Sequence, residues 1–291
     1  MRFMSEEKKL CWCGSGKPYD HCHIDFDLKL ATLRRKGAMV PPRSLIKTPA
    51  QIAAIKKSAA LNVAVLDEVA KRIGPGVTTG QIDEWVHDYT LEHGGIPAPL
   101  NYEGFPSSVC TSVNNVVCHG IPTHRQVLQE GDIINVDCST IVDGYFSDSS
   151  RMFCIGRVCD RWRDLVETTK KSVELGLAEV RPWQPLGNVG QAINDYVRSR
   201  GYSVVREIGG HGVGLEFHED PYVSYVSRAG TGMIMAPGLM FTIEPMVNLG
   251  THRVTMDRHD GWTIRTADGK PSAQWEIQVL VTDTGHEVIA W

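Results

Sequence analysis

From Thr48 onward the apolar positions alternate between two periods. Ile52, Ile55, Ala59, Leu66, Val69 and Ile73 recur at helical spacing, and Gly74-Pro75-Gly76 ends the run. Thr48-Pro49-Ala50-Gln51 opens it as a capping box, with Pro49 suited to the first turn. A second start at Thr78, with Gln81 three residues on, puts Ile82, Trp85, Val86 and Tyr89 on one helix face before Gly94-Gly95. Across 97–155 the period shortens to two: "SSVCTSV", "DIINVDCSTIV" and "GYFSDSSRMFCI" read as strands parted by Gly and Asp turns. Helical stretches return at about 160–180 and 186–199, followed by the strands "YSVVREI", "LMFTIEPMV", "GWTIRT" and "QWEIQVLVT". Helix, helix, strands thus occurs twice. That order predicts an α+β fold with two similar α/β halves around a shared, mostly antiparallel sheet.

One strand pair breaks the apolar rule. Val142-Asp143-Gly144-Tyr145 signals a tight hairpin turn, and with Asp143 and Gly144 central, Asp148 falls opposite Ser139. Asp137 then lies two residues along on the same face, so Asp137 and Asp148 become diagonal neighbours about 7 Å apart. Bare buried carboxylates are costly and need a cation, yet no Lys or Arg occupies a matching position in these strands. Glu244 in "LMFTIEPMV", Glu276 in "QWEIQVLV" and His211 in the glycine-rich "GGHGVG" are oddities of the same kind. Singly, each reads as an edge-strand or salt-bridged residue. Together they form an oxygen-rich set whose four negative charges match two divalent cations, with Mn²⁺, Fe²⁺ or Co²⁺ favoured and Zn²⁺ compatible.

The N-terminus carries separate chemistry. In "CWCGSGKPYDHCH", Cys11, Cys13, Cys22 and His23 are a complete tetrahedral set for one structural Zn²⁺, and the segment is too short to fold on a core. The other five cysteines stand singly in apolar contexts, as buried thiols of a large chain without a disulfide framework do. Residues 24–43 read as a basic linker stiffened by Pro41-Pro42. From Leu28 to Leu66 there are eight Lys or Arg and no Asp or Glu, within a net charge of −4. This collar is either a solvated face or a polyanion contact. No signal peptide and no run of about 20 apolar residues is apparent, which predicts a cytoplasmic protein without a membrane span.

Residues 44–291 resemble the type I methionine aminopeptidases through "SVNNVVCHGIP", "GDIINVDCSTIVDGYFSDSS", "GGHGVG", "FHEDP", "FTIEPMV" and "AQWEI". The resemblance implies the pita-bread fold and hydrolysis of the first peptide bond of peptides and nascent proteins that begin with Met. By position it implies a dinuclear site of Asp137, Asp148, His211, Glu244 and Glu276, in which Asp148 and Glu276 bridge the ions. It further implies that His119 and His218 contact the scissile amide, that Glu244 shuttles a proton, and that Tyr102, Phe105, Cys110, Phe217 and Trp262 line the methionine pocket. Residues 1–23 resemble the SEC-C zinc-binding motif, a docking module. With the basic collar, this suggests ribosome contact through residues 1–43 of a monomeric enzyme. Ile277, Ser147, Ser149 and Phe105 depart from the family pattern, which bears on metal preference and rate. A proline-specific peptidase of the same fold and a non-catalytic ribosome-associated relative are the alternatives.

Overall fold

The computed structural model describes residues 9–291, so the first eight residues of the expected 1–23 module lie outside the described residues. Both capping boxes form. The Thr48 hydroxyl accepts the Gln51 backbone N–H and the Gln51 side chain returns to the Thr48 N–H, opening helix α2 (Pro49–Arg72). Thr78 and Gln81 open α3 (Thr79–Glu92) in the same way. The apolar faces predicted for these helices, with Ile55, Leu66, Val69, Ile82 and Val86 buried, are turned inward. Each such side chain contributes about 1.5–3 kcal/mol by leaving water. Their partners are β4 (Ile133–Val142) and β5 (Tyr145–Cys154), which form a four-stranded antiparallel sheet with β1 (Ile96–Pro97) and β2 (Cys110–Val113).

The second half repeats the order. Helices α4 (Asp160–Ala178) and α5 (Gly187–Ser199) pack on each other, and their Leu165, Val173, Val189 and Ile193 share one core with Phe241 and Val279. The latter two belong to a five-stranded sheet ordered β15 (His286–Ala290), β14 (Ile277–Val281), β9 (Met240–Ile243), β7 (Gly210–Gly212) and β8 (Glu219–Val223). Two three-stranded sheets complete the molecule. One joins β13 (Ser272–Gln274), β10 (Met246–Asn248) and β6 (Ser203–Val204); the other joins β11 (Val254–Met256), β12 (Ile264–Thr266) and β3 (Val116–Cys118).

Two readings of the chain are refined. The stretches "LMFTIEPMV" and "QWEIQVLV" are each two strands rather than one, broken at Glu244-Pro245 and at Trp275-Glu276. Proline has no N–H to give a ladder, so the break at Pro245 has a local cause. The segment 24–43 holds a 12-residue helix, α1 (Ile24–Arg35), where a linker is predicted. It is held by packing: Leu30 is buried in the core shared with α4 and α5, and the Phe26 ring sits 5.3 Å from that of Trp183.

The basic collar is half dismantled by the fold. Lys29 lies 4.1 Å over the Trp183 ring, Arg43 bonds Asp27 at 2.6 Å, Lys56 bonds Glu287, and Lys47 is buried against Glu219. Arg34, Arg35 and Lys36 remain exposed at the end of α1. No helix among the described residues is long and apolar enough to cross a membrane.

Candidate metal centre and substrate cavity

The hairpin predicted from Asp143-Gly144 is present in the predicted register. Both residues have positive φ (52° and 81°), as a two-residue hairpin turn requires. Asp148 pairs with Ser139 and Asp137 with Ser150, so the two aspartates share a face. The Ser139 hydroxyl donates to Asp148 Oδ1 at 2.7 Å.

The two glutamates meet by a similar logic. Ile243 pairs with Ile277, and Met246 with Gln274, so Glu244 and Glu276 fall opposite one another where both strands pass from one sheet to the next. A ladder break frees their side chains to turn inward together. Glu244 is held by the Thr242 hydroxyl at 2.7 Å and by the Gln274 amide at 3.1 Å, and its own N–H donates to the Tyr225 hydroxyl. Glu276 is joined to the first sheet by a backbone bridge to Ser150, beside Asp137.

His211, in β7, faces this cluster. Its Nδ1 lies 3.0 Å from the Gly212 carbonyl, which can only accept, so Nδ1 carries the proton and Nε2 is bare. Nε2 stands 3.6 Å from both Asp148 Oδ2 and Glu244 Oε1. Asp148, His211 and Glu276 can each offer one atom within 4.8 Å of the others, with Asp137 and Glu244 on the same cavity wall.

The electrostatics are unbalanced without cations. Burial pushes Asp148, Glu244 and Glu276 well above the usual carboxylate range, and the neighbouring acidic groups push them further. Asp137 is raised to about 6 by burial, with a hydrogen bond from Glu276 opposing the rise. Burial, and secondarily His218, brings His211 down to about 3, which keeps its nitrogen available as a donor of electrons. Among the described residues lining the cavity there is no Lys or Arg, and Asp137 Oδ1 is buried with no hydrogen-bond partner. Four carboxylates, one bare imidazole nitrogen and an orphaned oxygen fit hard divalent cations.

The cavity above the cluster has a volume of about 490 Å³ and is lined by all twelve residues singled out in the catalytic chain. His119 and His218 stand on its wall. Burial lowers both, His119 to about 4 with His218 as a secondary cause, so both are neutral near pH 7. His218 Nδ1 lies 3.0 Å from the Tyr102 hydroxyl. Phe105 and Trp262 meet edge to face at 5.3 Å, as do Tyr102 and Phe217 at 4.9 Å, and Cys110 pairs with Asp137 at the floor. Apolar walls above an acidic floor suit an unbranched thioether whose backbone reaches the acid groups.

Against known proteins, the model of metallopeptidase family M24 matches residues 53–283. The chain belongs to metallopeptidase family M24. A methionine aminopeptidase of Chlamydia trachomatis is 41% identical over 283 residues, 96% of each chain, and that of Escherichia coli is 42% identical over 84% of this chain and 92% of its own. The crystal structure of methionine aminopeptidase from Rickettsia prowazekii superposes with a TM-score of 0.83 at 40% identity, over 84% of this chain and 99% of its own. An Xaa-Pro dipeptidase from Bacillus anthracis shares the fold, with a TM-score of 0.69 at 22% identity over 84% of this chain and 61% of its own. The M24 assignment, with methionine aminopeptidases 41–42% identical over most of both chains, makes the protein a metal-dependent aminopeptidase.

The SEC-C motif model matches residues 8–24. Cys11 Sγ and Cys22 Sγ each lie 3.1 Å from His23 Nδ1, and Cys13 Sγ lies 3.6 Å from Cys22 Sγ. Metal–sulfur bonds of 2.3 Å in a tetrahedron put two sulfurs about 3.8 Å apart, so the four atoms are nearly at zinc-ligand spacing.

The departures from the methionine aminopeptidase pattern have identifiable surroundings. Ile277 is fully buried opposite Ile243, so the position after Glu276 makes an apolar contact. Ser147 donates to Gln278 Oε1, which also takes the Asp148 N–H. The Ser149 hydroxyl accepts from the Asn62 amide of α2. The strand alternates, so Asp148 faces the site and Ser149 faces away. Thr242 and Gln274 are the supporting residues the sequence reading missed. Each lies two residues from a glutamate of the cluster, a period-two spacing that could have signalled them.

Proposed function

We propose that this M24 peptidase removes the initiator methionine from nascent proteins by hydrolysing the first peptide bond. The observation that carries this reading is one cavity lined by the acidic cluster, two neutral histidines and the wall residues Tyr102, Phe105, Cys110, Phe217 and Trp262. Asp137, Asp148, His211, Glu244 and Glu276 would hold two divalent cations (Mn, Fe, Co or Zn). Such a pair, when bound, supplies hydroxide near neutral pH and polarises the scissile carbonyl.

The chain's own residues do the rest. His119 and His218, held neutral by burial, can donate N–H to the scissile amide and to the developing oxyanion. Tyr102 fixes the His218 ring from its Nδ1 side. Glu244, steadied by Thr242 and Gln274, is the proton carrier to the leaving amine. Tyr102, Phe105, Cys110, Phe217 and Trp262 take the methionine side chain. Comparing Met-Ala with Ala-Pro peptides tests the reading. Release of methionine from the first and no cleavage of the second is expected; the reverse would make it a proline peptidase.

In the N-terminal segment, Cys11, Cys13, Cys22 and His23 would hold one structural zinc. The enzyme is proposed to act as a cytoplasmic monomer that touches the ribosome through residues 1–43. Arg34, Arg35 and Lys36, exposed at the end of α1, support the contact with RNA phosphates. Reversing these three charges should abolish salt-sensitive co-sedimentation with ribosomes; unchanged sedimentation would refute the contact. Charge reversal is the better test because truncation would also remove Phe26 and Leu30 from the core.

A further inference from the structure

We infer that Lys47 and Glu219 form a buried ion pair that positions the loop carrying Phe217 and His218, making both positioning residues for the reaction. The inference rests on the reading above that His218 meets the substrate. Lys47 Nζ lies 2.5 Å from Glu219 Oε2, and the two side chains are 1% and 7% exposed. The other carboxylate oxygen, Oε1, accepts the N–H of Leu215 at 2.7 Å and that of Glu216 at 3.1 Å. One carboxylate thus gathers an ammonium and two backbone donors from inside the six-residue loop that joins β7 to β8.

The geometry ties this carboxylate to the site on both sides. Glu219 pairs with Gly212, next to His211, and directly follows His218. Gly214, at φ +135°, takes a conformation that side chains rarely adopt, and a Cβ there would lie 3.2 Å from the Lys47 stem. The Gly214 carbonyl accepts the Phe146 N–H at 2.9 Å, which fixes the near end of the loop. At its far end the loop presents Phe217, 4.9 Å from Tyr102, and His218, with its ring 4.2 Å from that of His211. Neither Lys47 nor Glu219 lines the cavity.

A buried ion pair adds little net stability over apolar side chains of similar volume, but losing one partner leaves a buried charge uncompensated. The carboxylate is needed where it stands because Leu215 and Glu216 have no other acceptor for these N–H groups within the loop's hydrogen bonds. Lys47 keeps it there. Its backbone N–H is itself anchored on the Gly238 carbonyl at 2.9 Å, immediately before the α2 cap.

The test measures kcat and KM on a Met-Ala peptide for the metal-loaded full chain and four variants: Lys47→Met, Glu219→Gln, the double variant, and His218→Ala. Lys47→Met should lower kcat about 100-fold, the scale of a one-ångström misplacement, with a smaller change in KM. The double variant removes both charges but keeps an amide oxygen for Leu215 and Glu216, so kcat should recover to within about tenfold of wild type. A purely structural role would lower the melting temperature in Lys47→Met with kcat unchanged, and that overturns the inference. So does a double variant no better than Lys47→Met. Should Lys47→Met fail to fold, Glu219→Gln decides: reduced kcat supports the pair and wild-type kcat refutes it. Full activity in His218→Ala would instead overturn the reading on which the inference rests, a result distinct from either failure of the pair.

Discussion

The Ser139 hydroxyl donates to Asp148 Oδ1 at 2.7 Å from the position directly opposite in the hairpin. That bond leaves Oδ2 to face His211 Nε2 and fixes which oxygen of Asp148 is turned toward the cluster. Ser139→Ala should therefore weaken metal affinity about 10–100-fold while leaving the fold intact. Competition with a metal-binding dye measures this directly, and unchanged affinity would show that the hydroxyl does not orient the ligand.

Metal-free protein should lose stability as pH rises above about 6.5. Asp148, Glu244 and Glu276 are raised by burial, so the folded chain keeps protons that the unfolded chain releases, and stability falls as pH climbs toward their folded values. The buried histidines act in the opposite sense, since their lowered values make stability rise with pH, but that gain ends near the ordinary histidine value of about 6.5. Melting temperatures of chelated and metal-loaded protein across this window test the sign. A flat profile for the chelated protein would mean the carboxylates are ionised and already compensated.

The hairpin and the two capping boxes were readable because each depends on residues close in sequence. A turn dipeptide sets the register of Asp137 and Asp148, and a Thr with Gln three residues later sets a helix start. Lys47 was not readable in this way. It counts as one of eight cations in a collar until the fold buries it against a residue 172 positions away. The α1 helix was missed for a related reason: its sequence has a weak apolar stripe, and its order comes from Leu30 and Phe26 meeting α4, α5 and Trp183. The five metal-ligand candidates come from four different strand regions. Their oddness was visible singly and their charge pointed to one site for two cations, while the role of each ligand required the family resemblance.

Trp262→Ala should raise KM for a methionyl peptide about tenfold with a smaller effect on kcat. Its ring closes the wall against Phe105 at 5.3 Å and lies 6.1 Å from His119, so its loss opens the pocket without removing an acid or base. Steady-state kinetics check the split. A fall in kcat at unchanged KM would instead assign Trp262 to holding His119.

Cys22→Ser should disorder the zinc module and leave cleavage of short peptides intact. The Trp12 ring lies 4.4 Å from that of His23, tilted by 47°, and the Arg43 guanidinium sits 5.1 Å over it; both contacts depend on the folded module. Zinc content should fall and tryptophan emission should shift to the red, with kcat/KM on a dipeptide unchanged. Full zinc retention would remove Cys22 from the ligand set.

The central claim is that the acidic cluster exists to hold cations for methionine release. Protein stripped of metal is supplied with Mn²⁺, Fe²⁺, Co²⁺ or Zn²⁺ one at a time, and free methionine is measured from a Met-Gly-Met-Met peptide, with Asp148→Asn as control. Release that requires added metal and disappears in Asp148→Asn is the predicted result. Methionine release from the stripped protein, or equal release from Asp148→Asn, would contradict the account.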